Sequence, residues 1–288
     1  MHTVRYEAPG TIAGALDIMA SAPGAMVLAG GTDLLVQYQS GLKRPAVFLD
    51  VKRIPEMMAI VVDADGATIG AAAPAAVICA DRTLQAWYPG LVEGVHLIGS
   101  TQIQGRGSIG GNLCNGSPAA DSVCALIADR AVARIAGPTG TREVPVEAFM
   151  RGPGRTALAP GELLVAVRLP KPAPHTADAY QRLIPRSEMD IAVASCGVSL
   201  TFDATGTCTA ARVAIGAVAP TPLLVLDAAA ALVGTTVDPE ALDRAAAAAS
   251  AAAHPIDDRR GTAAYRRTVV GVLTKRVAAL AAARAKER

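Results

Sequence analysis

Two glycine-rich runs hold the residue types best suited to chemistry in this chain. The first is Val27-Leu28-Ala29-Gly30-Gly31-Thr32-Asp33-Leu34-Leu35, and the second, about 80 residues further on, is Ser108-Ile109-Gly110-Gly111-Asn112-Leu113. Each joins apolar, strand-like residues to paired glycines and a small hydroxyl residue. Paired glycines let the backbone take φ > 0 and bring its N–H groups close to an anionic ligand, where a Cβ would obstruct. One such run is as compatible with an ordinary tight turn as with a ligand loop. Two of them could clasp one pyrophosphate from both sides. The second run continues as Asn112-Leu113-Cys114-Asn115-Gly116-Ser117-Pro118-Ala119-Ala120-Asp121, ending on a carboxylate that a ribose hydroxyl could use.

Further segments fall into an order that no single motif would give: Gln102-Ile103-Gln104-Gly105-Arg106-Gly107 ahead of the second run, Ser117 to Asp121 after it, and Leu158-Ala159-Pro160-Gly161-Glu162-Leu163-Leu164. With Ala29 to Leu35, they make the chain resemble the FAD-binding medium subunit of the molybdenum hydroxylases. That group contains xanthine dehydrogenase, aerobic carbon monoxide dehydrogenase, quinoline oxidoreductase and 4-hydroxybenzoyl-CoA reductase, and the similarity runs over nearly the whole length. The family pattern reads Ala-Gly-Gly-Thr-Asp-Leu-Leu, then Gln-Ile-Arg-Asn-Arg-Gly-Thr-Ile-Gly-Gly-Asn, a Ser-Pro-x-x-Asp tail and Leu-x-Pro-x-Glu-Leu-Leu. Ser108 replaces the usual threonine but keeps a hydroxyl, whereas Gln104 and Gly105 stand where Arg-Asn is frequent.

The resemblance implies that Val27, Leu28, Ala29, Gly30, Gly31, Thr32, Asp33 and Leu34, with Ser108, Ile109, Gly110, Gly111 and Asn112, contact the pyrophosphate and adjoining parts of FAD. It directs Asp121 at a sugar or adenine-side polar group, gives Ile98 and Leu164 apolar contacts, and puts Arg182, where relatives often have lysine, near the isoalloxazine. A cation there could stabilise negative charge on reduced flavin. The residues themselves leave other readings open: Asp33 and Asp121 as helix caps, Arg182 as a solvated arginine on a strand, and Cys114 as a buried inert thiol.

The elements that must position these residues follow from hydrophobic period and punctuation. The opening reads as strand, helix, strand: Val4 to Tyr6, a helix from about Thr11 to Ala20 with Thr11 as N-cap, and Met26 to Leu28 leading into the first loop. Asp33 to Ser40 has helical character and would set the loop's free N–H groups at a helix N-terminus. Val47 to Val51 reads as a strand, and Asp63-Ala64-Asp65-Gly66 as a hairpin turn between apolar runs. Asp121 to Ala128 is helical, and Val132 to Ile135, Arg142 to Val146 and Leu163 to Leu169 are short strands. The proline-rich stretch Leu169 to Pro174 marks a boundary with a stiff connector. Beyond it, Tyr180 to Leu183, Ile191 to Thr201 and Thr209 to Ala217 alternate as antiparallel strands. Leu223 to Val233 and Pro239 to Ala253 read as helices, and a last helix starts near Gly261 to Tyr265 with a stripe of Tyr265, Val269, Val272, Leu273, Arg276 and Leu280.

The 288 residues, 51% of them hydrophobic, can bury a sizeable core. A net charge of +2 without a dense Lys/Arg run leaves no footprint for nucleic acid or an anionic membrane. No apolar stretch has membrane-spanning character and the first residues lack a signal-peptide core, so a cytoplasmic location is expected. Five cysteines contain no Cys-x-x-Cys pair, and His2, His96, His175 and His254 are scattered. Any iron–sulfur centre in an electron chain must then come from another polypeptide.

These readings combine into an α+β chain. Residues 1–172 form an FAD-binding domain of the vanillyl-alcohol-oxidase-like (PCMH) type in two subdomains, about 1–55 and 56–172. Residues 176–288 form a C-terminal antiparallel sheet with helices. The function implied is an FAD-carrying electron-transfer subunit, taking electrons from a small 2Fe-2S subunit and passing them to an external acceptor. Substrate would react at a molybdenum cofactor on a large subunit, in a dimer of heterotrimers. No cysteine-bearing insertion for a 4Fe-4S cluster is visible, which argues against the 4-hydroxybenzoyl-CoA reductase subtype. The rivals are a self-sufficient FAD oxidase and a non-catalytic nucleotide-binding assembly module.

Overall fold

A computed structural model describes residues 4–288, so His2 lies outside the described residues. Strands β1 (Arg5–Glu7), β2 (Ala25–Leu28) and β3 (Val47–Asp50) form a parallel sheet in the order β1-β3-β2. Parallel pairing needs a crossover between strands, supplied by the helices Ile12–Ser21 and Leu34–Gln39. Thr11 starts the former as expected, its Oγ1 accepting from the Gly14 N–H at 3.1 Å. The C-terminal ends of such strands are where ligands bind in open α/β sheets, and β2 delivers the first glycine run there.

The second sheet is antiparallel. It takes β4 (Ile60–Val62), β5 (Gly66–Gly70), β6 (Val132–Gly137), β7 (Gly140–Pro145) and, beyond the small pair β8 (Met150–Gly152) and β9 (Arg155–Thr156), strand β10 (Leu163–Pro170). The order is β4-β5-β10-β6-β7. The Asp63 turn is closed by its own carboxylate, which accepts from the N–H groups of Asp65 and Gly66 at 2.8 and 3.0 Å. Between β5 and β6 the chain makes a run of short helices, including Pro89–His96, Ile109–Cys114 and Val123–Ala128. Leu49, Ile69, Leu91, Ile109, Leu126 and Val167 are fully buried in one continuous core beneath both sheets.

A second core begins past the proline run. Strands β11 (Thr176–Leu183), β12 (Ala194–Phe202), β13 (Cys208–Gly216) and β14 (Leu223–Leu224) form an antiparallel sheet in that order. The helices Pro239–Ala252 and Ala263–Lys286 cover it, burying Val198, Ile215, Val270 and Val277. On the other side the sheet lies directly on the helices Pro89–His96 and Val123–Ala128. The approach is backbone to backbone: a Cβ on Gly197 would sit 2.7 Å from the Cys124 carbonyl.

Three local readings need correction. Leu223–Leu224 is a strand, with Leu223 opposite Ile215 and Leu224 opposite Ala214, and the helix after it covers only Leu226–Ala230. The open edge of β13 captured residues whose own preference is helical. Strand β11 begins at Thr176, four residues earlier than the alternation suggests, and β12 begins at Ala194, later than Ile191. In the last helix the buried face is Arg266, Val270, Leu273, Val277 and Ala281, while Tyr265 and Val272 are 49% and 45% exposed. The small residues decide this, because Gly271 packs against the neighbouring helix, where a Cβ would lie 2.4 Å from Ser250 Oγ and 3.1 Å from the Ala246 carbonyl oxygen. Among the described residues, no helix is long and apolar enough to cross a membrane.

Candidate cofactor-binding site

The first glycine run is a turn held from behind. Its approach is fixed where the Leu28 carbonyl accepts from the Val51 N–H at 3.2 Å and the Ala29 carbonyl accepts from Lys52 Nζ at 2.7 Å. Gly31 has φ +77°, a left-handed conformation that favours glycine. Gly30 is required for another reason: a Cβ there would lie 2.1 Å from the Arg106 carbonyl oxygen, so the two glycine-bearing segments touch through bare backbone. The Gly31 carbonyl then accepts from the Leu35 N–H and opens the helix Leu34–Gln39. The N–H groups of Gly30, Gly31, Thr32, Asp33 and Leu34 find no acceptor among the described residues. Such a row of unpaired amides at a turn forms an anion-binding nest.

The second run is built differently. Ser108 is the N-cap of the helix Ile109–Cys114, its Oγ accepting from the Gly111 N–H at 3.1 Å. The Gly110 N–H is spent on the Ala71 carbonyl at 3.0 Å. Neither glycine has positive φ, so the backbone-freedom argument holds for Gly31 alone of the four. A Cβ on Gly110 would strike Ala71 O at 2.4 Å, whereas one on Gly111 would meet only Ser108 Oγ at 3.1 Å. Gly110 is small to fit the protein. Gly111 leaves open space.

That open space is a cavity of about 510 Å³ between the two runs, within the range of small-molecule sites. Val27, Ala29, Gly30, Gly31, Thr32, Asp33, Leu34, Ile98, Ser108, Gly110, Gly111, Asn112 and Leu164 all line it. Leu28 and Ile109 do not; they are buried in the core at 7% and 0% exposure, because alternate residues of a strand and successive residues of a helix turn point to different sides. Ile98, Leu163, Leu164 and Met57 give the same cavity an apolar wall.

Asp121 and Arg182 are not brought to this cavity. Arg182 Nη1 donates to Asp121 Oδ2 at 2.6 Å, with side-chain exposures of 5% and 12%. Arg182 is therefore not the solvated arginine of a strand surface. Asp121 is not a cap either: the N-cap position of the helix Val123–Ala128 is Ser122. Burial pushes the Asp121 carboxyl up to about 6, against the opposing pull of Arg182 and of the Tyr180 hydroxyl. Asp33 likewise makes no cap bond. Its carboxylate accepts from Asn115 Nδ2 at 3.2 Å, while Asn115 Oδ1 accepts from Gln37 Nε2 at 3.1 Å. Asp33 keeps one edge exposed yet is crowded enough that desolvation raises it above the usual carboxylate range.

Gln37 and Asn115 are cavity residues that motif reading missed. Both line the cavity and tie the helix Leu34–Gln39 to the end of the helix Ile109–Cys114, a contact across 78 residues with no local pattern. The Cys114 thiol also faces the cavity, and desolvation pushes it up to about 12, the inert-thiol reading. Asn112 accepts from the Ser122 hydroxyl at 2.8 Å, fixing its amide at the cavity wall.

Comparison with known proteins bears on the whole chain. The family described as FAD binding domain in molybdopterin dehydrogenase matches residues 2–172, and the CO dehydrogenase flavoprotein C-terminal domain matches residues 179–281. The carbon monoxide dehydrogenase medium chain of Afipia carboxidovorans is 36% identical, covering 98% of this chain and 97% of that one. The xanthine dehydrogenase FAD-binding subunit of Escherichia coli is 30% identical over 97% and 96%. Among solved structures, CO dehydrogenase from Oligotropha carboxidovorans superposes with a TM-score of 0.94 at 34% identity, covering 98% of this chain and 99% of that chain. Quinoline 2-oxidoreductase from Pseudomonas putida 86 gives 0.91 at 28%, covering 98% of each. With the two domain models matched over residues 2–172 and 179–281 and relatives at 36% and 30% identity over nearly the whole chain, the chain belongs to the FAD-binding family of the molybdopterin dehydrogenases.

Proposed function

We propose that this chain is the FAD-carrying electron-transfer subunit of a heteromeric molybdenum hydroxylase. It takes electrons from a small 2Fe-2S subunit and delivers them to an external acceptor, while substrate reacts at the molybdenum cofactor of a large subunit. The observation that carries the reading is the row of unpaired amides from Gly30 to Leu34 in a cavity that also has an apolar wall. A pyrophosphate needs the amides and a flavin needs the wall. FAD, when bound, supplies two-electron and one-electron chemistry.

The chain's own residues bind and orient. The N–H groups of Gly30 to Leu34 hold the pyrophosphate, Gly111 leaves room for it, and Ile98 and Leu164 exclude water from the ring system. Asp33, Asn115 and Gln37 lock the two halves of the cavity together. We read residues 1–172 as a PCMH-type domain with subdomains about 1–55 and 56–172, and 176–288 as the C-terminal domain. One parallel and one antiparallel sheet support the first division, and the two cores support the second. A dimer of heterotrimers is the assembly we infer; the relatives' designation as medium chains supports a larger and a smaller partner chain.

Purification of the chain tests this directly. The expected result is a yellow protein with about one FAD per chain, which co-purifies with iron and molybdenum only when its partner subunits are present. A colourless chain that takes up no FAD overturns the reading, as does turnover of an N-heterocycle or aldehyde by the metal-free chain.

A further inference from the structure

The turn that faces the cavity is controlled from its far side by a residue outside the cavity. Asp50, at the end of β3, is 6% exposed. Its Oδ2 accepts from the Tyr6 hydroxyl of β1, and its Oδ1 accepts from the Lys52 N–H at 2.9 Å and from Lys52 Nζ at 2.7 Å. The same Nζ donates to the Ala29 carbonyl at 2.7 Å. Two strands of the sheet thereby hold one ammonium group against one carbonyl of the glycine turn.

The consequence lies in the peptide plane. In a trans peptide the C=O and the following N–H point in opposite directions. With the Ala29 carbonyl drawn back to Lys52, the Gly30 N–H must point forward, and it has no acceptor among the described residues. Gly30 lines the cavity and Lys52 does not. A glycine on one side of the plane leaves it otherwise easy to turn, so the ammonium supplies the restraint. A charge-assisted bond to the carbonyl also polarises the peptide and strengthens its N–H as a donor.

We infer that Lys52, oriented by Asp50 and Tyr6, is a positioning residue that aims and strengthens the Gly30 N–H for the FAD pyrophosphate. The inference rests on the reading of the first glycine run as the pyrophosphate site. Lys52 touches no ligand; it acts through one peptide group.

Titration of deflavinated protein with FAD, ADP and adenosine distinguishes this from a structural role. Lys52→Met keeps the aliphatic stem and removes the donor, and should weaken FAD and ADP by a similar factor, about tenfold or more, with adenosine unchanged. Lys52→Arg, which restores a cation, should recover most of the loss. Asp50→Asn should give a smaller loss in the same two ligands. Wild-type affinity for FAD and ADP in folded Lys52→Met overturns the inference, and so does a loss that extends equally to adenosine. If Lys52→Met does not fold, Tyr6→Phe decides: it removes only the outer hold on Asp50, and unchanged FAD and ADP affinity there would leave Lys52 structural. Failure of the wild-type protein to bind FAD at all would instead remove the pyrophosphate reading, and this inference with it.

Discussion

Glycines that look alike in the sequence do different work, and that difference can be measured. Gly31→Val meets two obstacles, a left-handed φ of +77° and the side chains of Leu28 and Leu35 within 3.1 Å. The backbone term alone costs about 1–2 kcal/mol. Gly111→Val meets only Ser108 Oγ and fills the cavity instead. Gly111→Val should therefore fold near wild-type stability but lose most of its bound FAD, while Gly31→Val should lose both stability and flavin. Flavin per folded protein, read beside the melting curve, separates them; full occupancy in both sinks the two-sided clasp. Arg182 presents the converse case, a charge whose surroundings were not legible. Its partner Asp121 is 61 residues away, and no period or spacing links the two. Arg182→Gln leaves a buried carboxylate unpaired and should cost about 3–5 kcal/mol. The double variant Arg182→Gln with Asp121→Asn should regain most of it in urea denaturation. Equal losses in single and double variants would show that the pair is not what makes Arg182 matter. The glycine runs were readable because each is a contiguous segment; Gln37, Asn115 and Lys52 were not, because their roles arise only when distant segments meet.

Helix and strand assignments succeeded where one face of an element meets one environment. Thr11, Asp238 and Thr262 start their helices as caps, each accepting an amide N–H three residues on. The end of the sequence was harder, since alanine carries little directional signal and the last helix is nearly uniform around its axis. A stripe drawn through the larger apolar residues places Val272 and Leu273 on the same buried face. In the fold only Leu273 is buried, at 6% against 45% for Val272. Leu273→Ala should cost about 2–4 kcal/mol, and Val272→Ala within about 0.5 kcal/mol of zero. Comparable destabilisation in chemical denaturation would restore the original stripe and move the helix by one residue around its axis. The same competition explains Leu223–Leu224, where pairing with β13 overrode helix propensity over two residues.

The proline run announced a division of the chain but not how closely the two halves are joined. Arg212 on β13 donates to the Ile127 carbonyl at 3.0 Å and to Glu147 at 2.9 Å, and the Leu91 N–H donates to Asp178 Oδ2 at 3.0 Å. Alongside these bonds lie two buried carboxyls, Asp129 from the first half, 8% exposed, and Asp178 from the second, 2% exposed. Asp129 Oδ2 and Asp178 Oδ1 have no hydrogen-bond partner among the described residues, and protonation removes the cost of burying an unpaired charge there. Burial, with mutual repulsion on Asp129, raises both above the usual carboxylate range. The sign follows from linkage: a carboxyl that binds its proton more tightly when folded stabilises fully below the unfolded value, about 3.9, and loses that contribution as pH rises through its folded value. Asp121, up to about 6, adds a loss of the same sign. Glu162, held down to about 2 by Arg142, acts in the opposite sense but only at lower pH. The melting temperature should therefore fall as pH rises from about 4 through about 6. Asp129→Asn replaces a carboxyl whose proton affinity is raised by burial with an amide that does not titrate, so its curve should fall less over that interval. At about 2–4 °C per kcal/mol for a chain of this size, a relief on the order of 1 kcal/mol is readable by calorimetry. Parallel curves for the two proteins would mean that the pair is not protonated in the fold, and that the halves are held by the arginine and backbone bonds alone.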